Sequence, residues 1–121
     1  VLSMHALVGA YSPEGEEWAR QLRQVLTGNV DFACGYIEKH FPGVSVSKPQ
    51  GTYMLFLDCA EWLEARGKTM DELLKLGWDV GVVWQDGRAF FHPTSIRMNL
   101  ALPRSRVEEA FRRLDTCAFN A

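Results

Sequence analysis

At 121 residues, 47% hydrophobic and 23% charged, the chain has the size and composition of one soluble globular domain with a real core. Its net charge of -2 gives no electrostatic case for nucleic acid or an anionic membrane as partner. Cys34, Cys59 and Cys117 are odd in number, widely spaced and outside any CxxC or Cys/His pattern, which argues against a disulfide framework or a zinc site and fits a reducing cytoplasm. No apolar run reaches the roughly 18–20 residues that span a bilayer. Val1-Leu2-Ser3-Met4-His5 has neither an initiator Met nor a signal-peptide layout, so the chain is expected to begin inside a longer protein.

Leu2 to Tyr11 is mostly apolar, with Leu2, Ala6 and Ala10 at helical spacing, and predicts a short buried helix. Ser12 then caps a second helix, with Pro13 at its first position and Glu14, Glu16 and Glu17 near its positive end. Trp18, Leu22, Val25, Phe32 and Tyr36 recur at threes, fours and sevens, one apolar stripe on a long helix that ends near Phe41-Pro42-Gly43. A helix of that length is expected to bridge to a neighbouring body. Val44 to Ser47 alternates like a half-buried strand, and Tyr53 to Asp58 reads as a central strand followed by a polar stretch. Thr69 and Glu72 form a capping-box pair before Met70, Leu73, Leu74 and Leu76, with Gly77 as the expected stop. Val80 to Trp84 predicts a short strand and Asp86-Gly87 a turn. Ile96, Met98 and Leu100 alternate with Arg97, Asn99 and Ala101, and Ser105 with Glu108 opens a last helix whose apolar face is Val107, Ala110, Phe111 and Leu114. The sum is a single α+β domain: a helical region over 1–41, then over 42–121 a small, mainly antiparallel sheet of three to four strands with helices packed on one face.

No complete catalytic set is visible: GxGxxG, Walker, GxSxG and HExxH patterns are all missing. His5, His40 and His92 lack ligand spacing, and Cys34 and Cys59 sit in apolar runs as core residues. The informative side chain is Arg97. It projects from the strand face opposite the apolar positions, where a guanidinium on a rigid element suits bidentate recognition of a carboxylate. The same spacing is equally that of a sheet arginine facing water or a local acid.

Four motifs occur in order along the chain. Lys48-Pro49-Gln50-Gly51-Thr52-Tyr53-Met54-Leu55-Phe56-Leu57-Asp58 resembles the "P-x-G-T-Y-x-x-(W/F)-x-D" strand of class I/II aminotransferases, closest to the cystathionine β-lyase-like C–S lyase branch. Arg97-Met98-Asn99-Leu100-Ala101-Leu102-Pro103-Arg104 resembles that branch's "R-x-N-x-A-x-P-R", and Glu109-Ala110-Phe111-Arg112-Arg113-Leu114 its closing helix. Ala10-Tyr11, Gly15, Trp18 and Asn29 resemble its entry into the small domain. The chain departs from the pattern before the arginine, where the family often shows "F-G-x-x-G" and this sequence has Phe90-Phe91-His92-Pro93-Thr94-Ser95. In the family that loop lies on the substrate side, so His92 and its neighbours are either modifiers of side-chain specificity or neutral variation.

The resemblance implies the C-terminal small domain of a fold-type I enzyme that uses pyridoxal 5'-phosphate (PLP), with Arg97 binding the α-carboxylate of an amino-acid substrate. It implies a homodimeric parent whose large domain, expected to lie outside this sequence, holds PLP. Ser45-Val46-Ser47-Lys48 imitates the "S-x-S-K" around PLP lysines, but Lys48 directly precedes the Gly51-Thr52-Tyr53 strand, whereas the family's Schiff-base lysine lies well upstream. Lys39, Lys68 and Lys75 have no better claim. The chain alone is therefore expected to hold no covalent PLP, to contain no catalytic residue and to be inactive. The alternative is a stand-alone, non-catalytic α+β module that uses Arg97 to hold a small carboxylate.

Overall fold

The computed structural model describes residues 1–120. Helix α1 (Leu2–Ala10) leads into the 28-residue helix α2 (Pro13–His40), which starts as its sequence predicts: the Ser12 hydroxyl accepts the Gly15 N–H at 3.1 Å and Pro13 occupies the first turn. Then follow β1 (Ser45–Val46), β2 (Met54–Asp58), α3 (Ala60–Arg66), α4 (Met70–Asp79), β3 (Gln85–Asp86), a 3-10 turn (Gly87–Phe90), β4 (Ser95–Asn99), α5 (Arg104–Leu114) and a π-helical turn (Asp115–Phe119). The four strands form one antiparallel sheet in the order β1-β2-β4-β3. The fold is the expected α+β arrangement, with the sheet at the upper end of the predicted strand count.

Strand alternation sorts the sheet into two faces. Leu55, Leu57, Ile96 and Met98 are buried on the face that packs with the helices, against Ile37, Trp62, Leu73, Val107, Phe111 and Leu114. At the base of this core the rings of Phe41 and Phe119 stack at 4.2 Å, and the Trp62 indole N–H donates to the Phe119 carbonyl at 3.2 Å. Nearby, Tyr36 donates to the Asp115 carboxylate at 2.7 Å; burial first, then that hydrogen bond, pushes its phenol up to about 12. The opposite sheet face carries Phe56 and Arg97, directly paired across β2 and β4.

Several local expectations are overturned. Helix α1 is not buried: none of its residues is, and Leu2, Met4 and Val8 are 86%, 72% and 73% exposed. On α2, Trp18, Leu22 and Val25 are exposed, while the buried positions are Asn29, Val30, Ala33, Cys34 and Ile37. At about 100° per residue that buried face lies roughly a quarter-turn from the predicted stripe, and Phe32 and Tyr36 become its half-buried flank. The buried positions of α2 all lie in its second half, from Asn29 on; ahead of them Arg23 and Leu26 only line a groove with residues 48–53.

The Thr69–Glu72 capping box is present in both directions, and the Thr69 N–H bond holds the Glu72 carboxyl below its usual range. Gly77 does not stop α4. The helix runs through it to Asp79, and a Cβ there would sit 2.4 Å from the Trp84 ring, so the glycine serves a close approach. The stop is Gly81 at φ 76°, with the Val82 N–H closing back on the Gly77 carbonyl at 2.8 Å. That closure takes up Val80 to Val82, so the predicted strand over 80–84 becomes the two-residue β3 one step later. Helix α3 replaces the expected polar stretch and buries Trp62 and Leu63. Helix α5 begins at Arg104 with no side-chain cap, so Ser105 is not its capping residue; Glu108 instead pairs with Arg104 at 2.7 Å.

Candidate substrate-carboxylate site

The residues of the four motifs fall into two groups in the fold. Most have structural partners. Asn29, 1% exposed, donates from its amide to the carbonyls of Leu100 and Leu102, both at 2.9 Å, tying α2 to the chain after β4. The Asp58 carboxylate accepts from the Ala60 N–H at 3.0 Å and the Thr94 hydroxyl at 2.9 Å, and the Asn99 side chain accepts the Ala101 N–H at 2.8 Å. Arg104 donates to the Gly28 carbonyl at 2.7 Å while its guanidinium lies 4.2 Å from the Phe32 ring centre. Tyr53, just before β2, is 40% exposed and lines a groove with Arg23 and Lys48.

Arg97 is different. It stands mid-way along the central strand β4, with Phe56 of β2 and Gln85 of β3 as its register partners on either side. Its Nε donates to Gln85 Oε1 at 2.6 Å, and its guanidinium carbon sits 4.2 Å from the centre of the Phe90 ring. Among the described residues no carboxylate pairs with it. The acid next to its neighbour is taken: Asp86 accepts from Arg88 Nε at 2.7 Å, and Arg88 also bonds Asp71. The Arg88 hydrogen bond holds the Asp86 carboxyl below its usual range, and the two acids together push the Arg88 guanidinium up.

The aromatic platform comes from the loop before β4. Asp86 accepts the Arg88 N–H at 2.8 Å and so caps the 3-10 turn, which the sequence marks as a turn at Asp86-Gly87. Phe90 at the end of that turn meets Phe56 edge-on at 6.2 Å, and Phe56 in turn meets the His92 ring at 5.1 Å. His92 thus borders the site without touching Arg97. Phe91 adopts φ 61°, the left-handed region, and its side chain is 96% exposed. It lies in the stretch that departs from the family's glycine-rich pattern. Phe91→Gly is therefore expected to stabilise the fold by about 0.5–1 kcal/mol, the left-handed strain relieved minus the added flexibility of glycine. Urea denaturation checks it; a lowered midpoint would show that the phenyl ring contributes contacts of its own.

Two lysines line grooves and are ion-paired there, Lys48 with Asp31 at 2.5 Å and Lys75 with Asp79 at 2.6 Å. The Asp31 hydrogen bond pushes the Lys48 ammonium up, away from the neutral form. Of the histidines, His40 faces Asp115 at 3.8 Å. Among the described residues no His, Cys, Asp or Glu cluster could hold a metal, and no helix is long and apolar enough to cross a membrane. Cys34 and Cys59 are buried as expected, and burial pushes the Cys59 thiol up to about 12.

A long leading helix and a four-stranded antiparallel sheet backed by helices match the C-terminal small-domain type of fold-type I PLP-dependent enzymes, and the chain belongs to that family of aminotransferases and C–S lyases. It is similar to cystathionine beta-lyase of Corynebacterium glutamicum, 37% identical over 117 residues that make up 94% of this chain and 29% of that protein. It is also 30% identical, over 111 residues, to a protein named as an aspartate/prephenate aminotransferase from Aquifex aeolicus, covering 90% of this chain and 27% of the relative. A PLP-bound structure described as an aminotransferase, from Clostridium difficile 630, superposes with a TM-score of 0.74 at 36% identity, over 84% of this chain and 26% of that one. The chain therefore spans less than a third of each relative. No family model matches it.

Proposed function

We propose that this chain is the substrate-clamping part of a PLP-dependent aminotransferase or C–S lyase, with Arg97 binding the α-carboxylate of an amino-acid substrate. The observation that carries this reading is Arg97 itself: among the motif residues it is the guanidinium without an acidic or backbone partner, held mid-strand with one face on Phe90. Its Nη edge matches a carboxylate in a two-bond fork. Gripping the carboxylate on a rigid strand fixes the rotation of the substrate about its Cα, so that one Cα bond faces the group that removes a proton. Arg97 sits within a continuously paired four-stranded sheet, a rigid support that suits closure over substrate and exclusion of water. PLP supplies the electron sink for the carbanion when bound.

PLP and the proton-moving lysine belong to a large domain beyond these residues. The exposed apolar side chains of α1 and of the first half of α2, Leu2, Val8, Tyr11 and Trp18 among them, support packing against such a domain and within a homodimer. They count against a stand-alone module, which would display them to water. The free thiols of all three cysteines support a reducing, cytoplasmic setting. Two assays test the division of labour. The 121-residue chain mixed with PLP is expected to develop no Schiff-base absorbance at a defined lysine and no turnover; a stoichiometric band would overturn it. The full-length protein is expected to cleave cystathionine or to transaminate an amino acid with a keto acid, and inactivity in both would sink the enzymatic reading.

A further inference from the structure

Resting on the reading of Arg97 as the carboxylate site, we propose that Gln85 and Phe90 are positioning residues that present its guanidinium to the ligand in one orientation and with its charge unneutralised. Gln85 is the register partner of Arg97 on the edge strand β3, and its Oε1 takes the Nε–H at 2.6 Å. Phe90 covers one face of the guanidinium at 4.2 Å. With Nε engaged and one face covered, the Nη pair is the part left to a ligand. An arginine free to rotate would lose part of its binding energy in ordering its own side chain.

The chemistry of the partner is the telling feature. A carboxylate at position 85 would hold the same N–H more strongly, since it would add ion-pair attraction to a hydrogen bond whose donor is already charged. A role in holding the edge strand alone would favour it. An amide fixes the orientation and leaves the positive charge for the ligand. The acids near this edge are engaged elsewhere: Asp86, the register partner of Ile96 on the other sheet face, and Asp71 are both bonded by Arg88.

The test uses the full-length PLP-loaded protein and four variants, Gln85→Glu, Phe90→Leu, Phe90→Tyr and Arg97→Ala. The readouts are the Kd of an unreactive monocarboxylate such as 3-phenylpropionate, kcat and KM for an amino-acid substrate, and the thermal midpoint. Gln85→Glu is expected to weaken the monocarboxylate and raise KM by at least about tenfold, by supplying an internal competitor for the guanidinium, with kcat little changed and the thermal midpoint equal or higher. Phe90→Leu is expected to cost about two- to fivefold in the same Kd, the scale of an exposed cation–π contact, and Phe90→Tyr to restore it. If Gln85→Glu and Phe90→Leu both bind as wild type while Arg97→Ala does not, the positioning role is wrong and the Arg97 reading stands. If Arg97→Ala itself leaves the Kd unchanged, the Arg97 reading is wrong and this inference goes with it. A loss in Gln85→Glu that only tracks a lowered thermal midpoint also counts against positioning.

Discussion

Arg97→Ala in the full-length protein is expected to weaken amino-acid binding by about 2–5 kcal/mol, or roughly 30- to 5,000-fold. The range reflects what happens to the partner: a substrate carboxylate enclosed beside an alanine keeps its charge and loses both hydrogen bonds. The upper end applies if closure leaves it dry, the lower end if water re-enters the space. Arg97→Lys separates the contributions. It restores the charge but not the planar fork, and the Gln85 and Phe90 contacts are shaped to a guanidinium, so most of the deficit should remain. Folding should be little disturbed, because the arginine is only half-buried and has no ionic partner among the described residues. An unchanged KM and rate for Arg97→Ala would remove the assignment.

The second large effect is expected at Gly87. A Cβ there would fall 2.2 Å from the Ser95 carbonyl oxygen and 2.8 Å from that of His92, both backbone atoms that cannot swing aside. Gly87→Ala must therefore push the 3-10 turn off β4, at a cost of about 3 kcal/mol, in the upper part of the overpacking range. The displaced turn carries Phe90, so carboxylate affinity should fall together with the denaturation midpoint. Phe91→Gly, four residues on in the same loop, moves stability the opposite way. Two substitutions of opposite sign in one loop make a control for general loop sensitivity. A Gly87→Ala protein as stable as wild type would mean that the turn is not seated on β4.

What could be read from local sequence is instructive where it succeeded and where it did not. The starts of α2 and α4 are legible because Ser12-Pro13 and Thr69–Glu72 act within one turn of chain. The outer-face placement of Arg97 is legible because strand alternation needs only its immediate neighbours. Helix α3 is not, since seven residues with Trp62 and Leu63 side by side carry no period, and its seat depends on the distant Phe119. The α1 error has another cause: hydrophobicity says that a segment is sticky, not that something in the same chain covers it. Gly77 reads as a helix stop locally, yet its role is set by Trp84 from outside the helix. The surroundings of Arg97 are hidden for the same reason: Gln85 and Phe90 meet it only after β3, the 3-10 turn and β4 are folded together, and neither carries a local sequence signal of that contact.

Helix α2 has a mechanical consequence. Its 28 residues make a rod about 42 Å long. One end is locked into the body through Asn29, Ile37 and the aromatic cluster around Phe41, and the other stands clear. Such a rod is a lever: a rotation of about 5° at the free end would carry the far end through roughly 4 Å without breaking a hydrogen bond within the helix. At Asn29, about 24 Å from the free end, the same rotation amounts to about 2 Å, and Asn29 is the point at which α2 is tied to the chain just beyond the strand bearing Arg97.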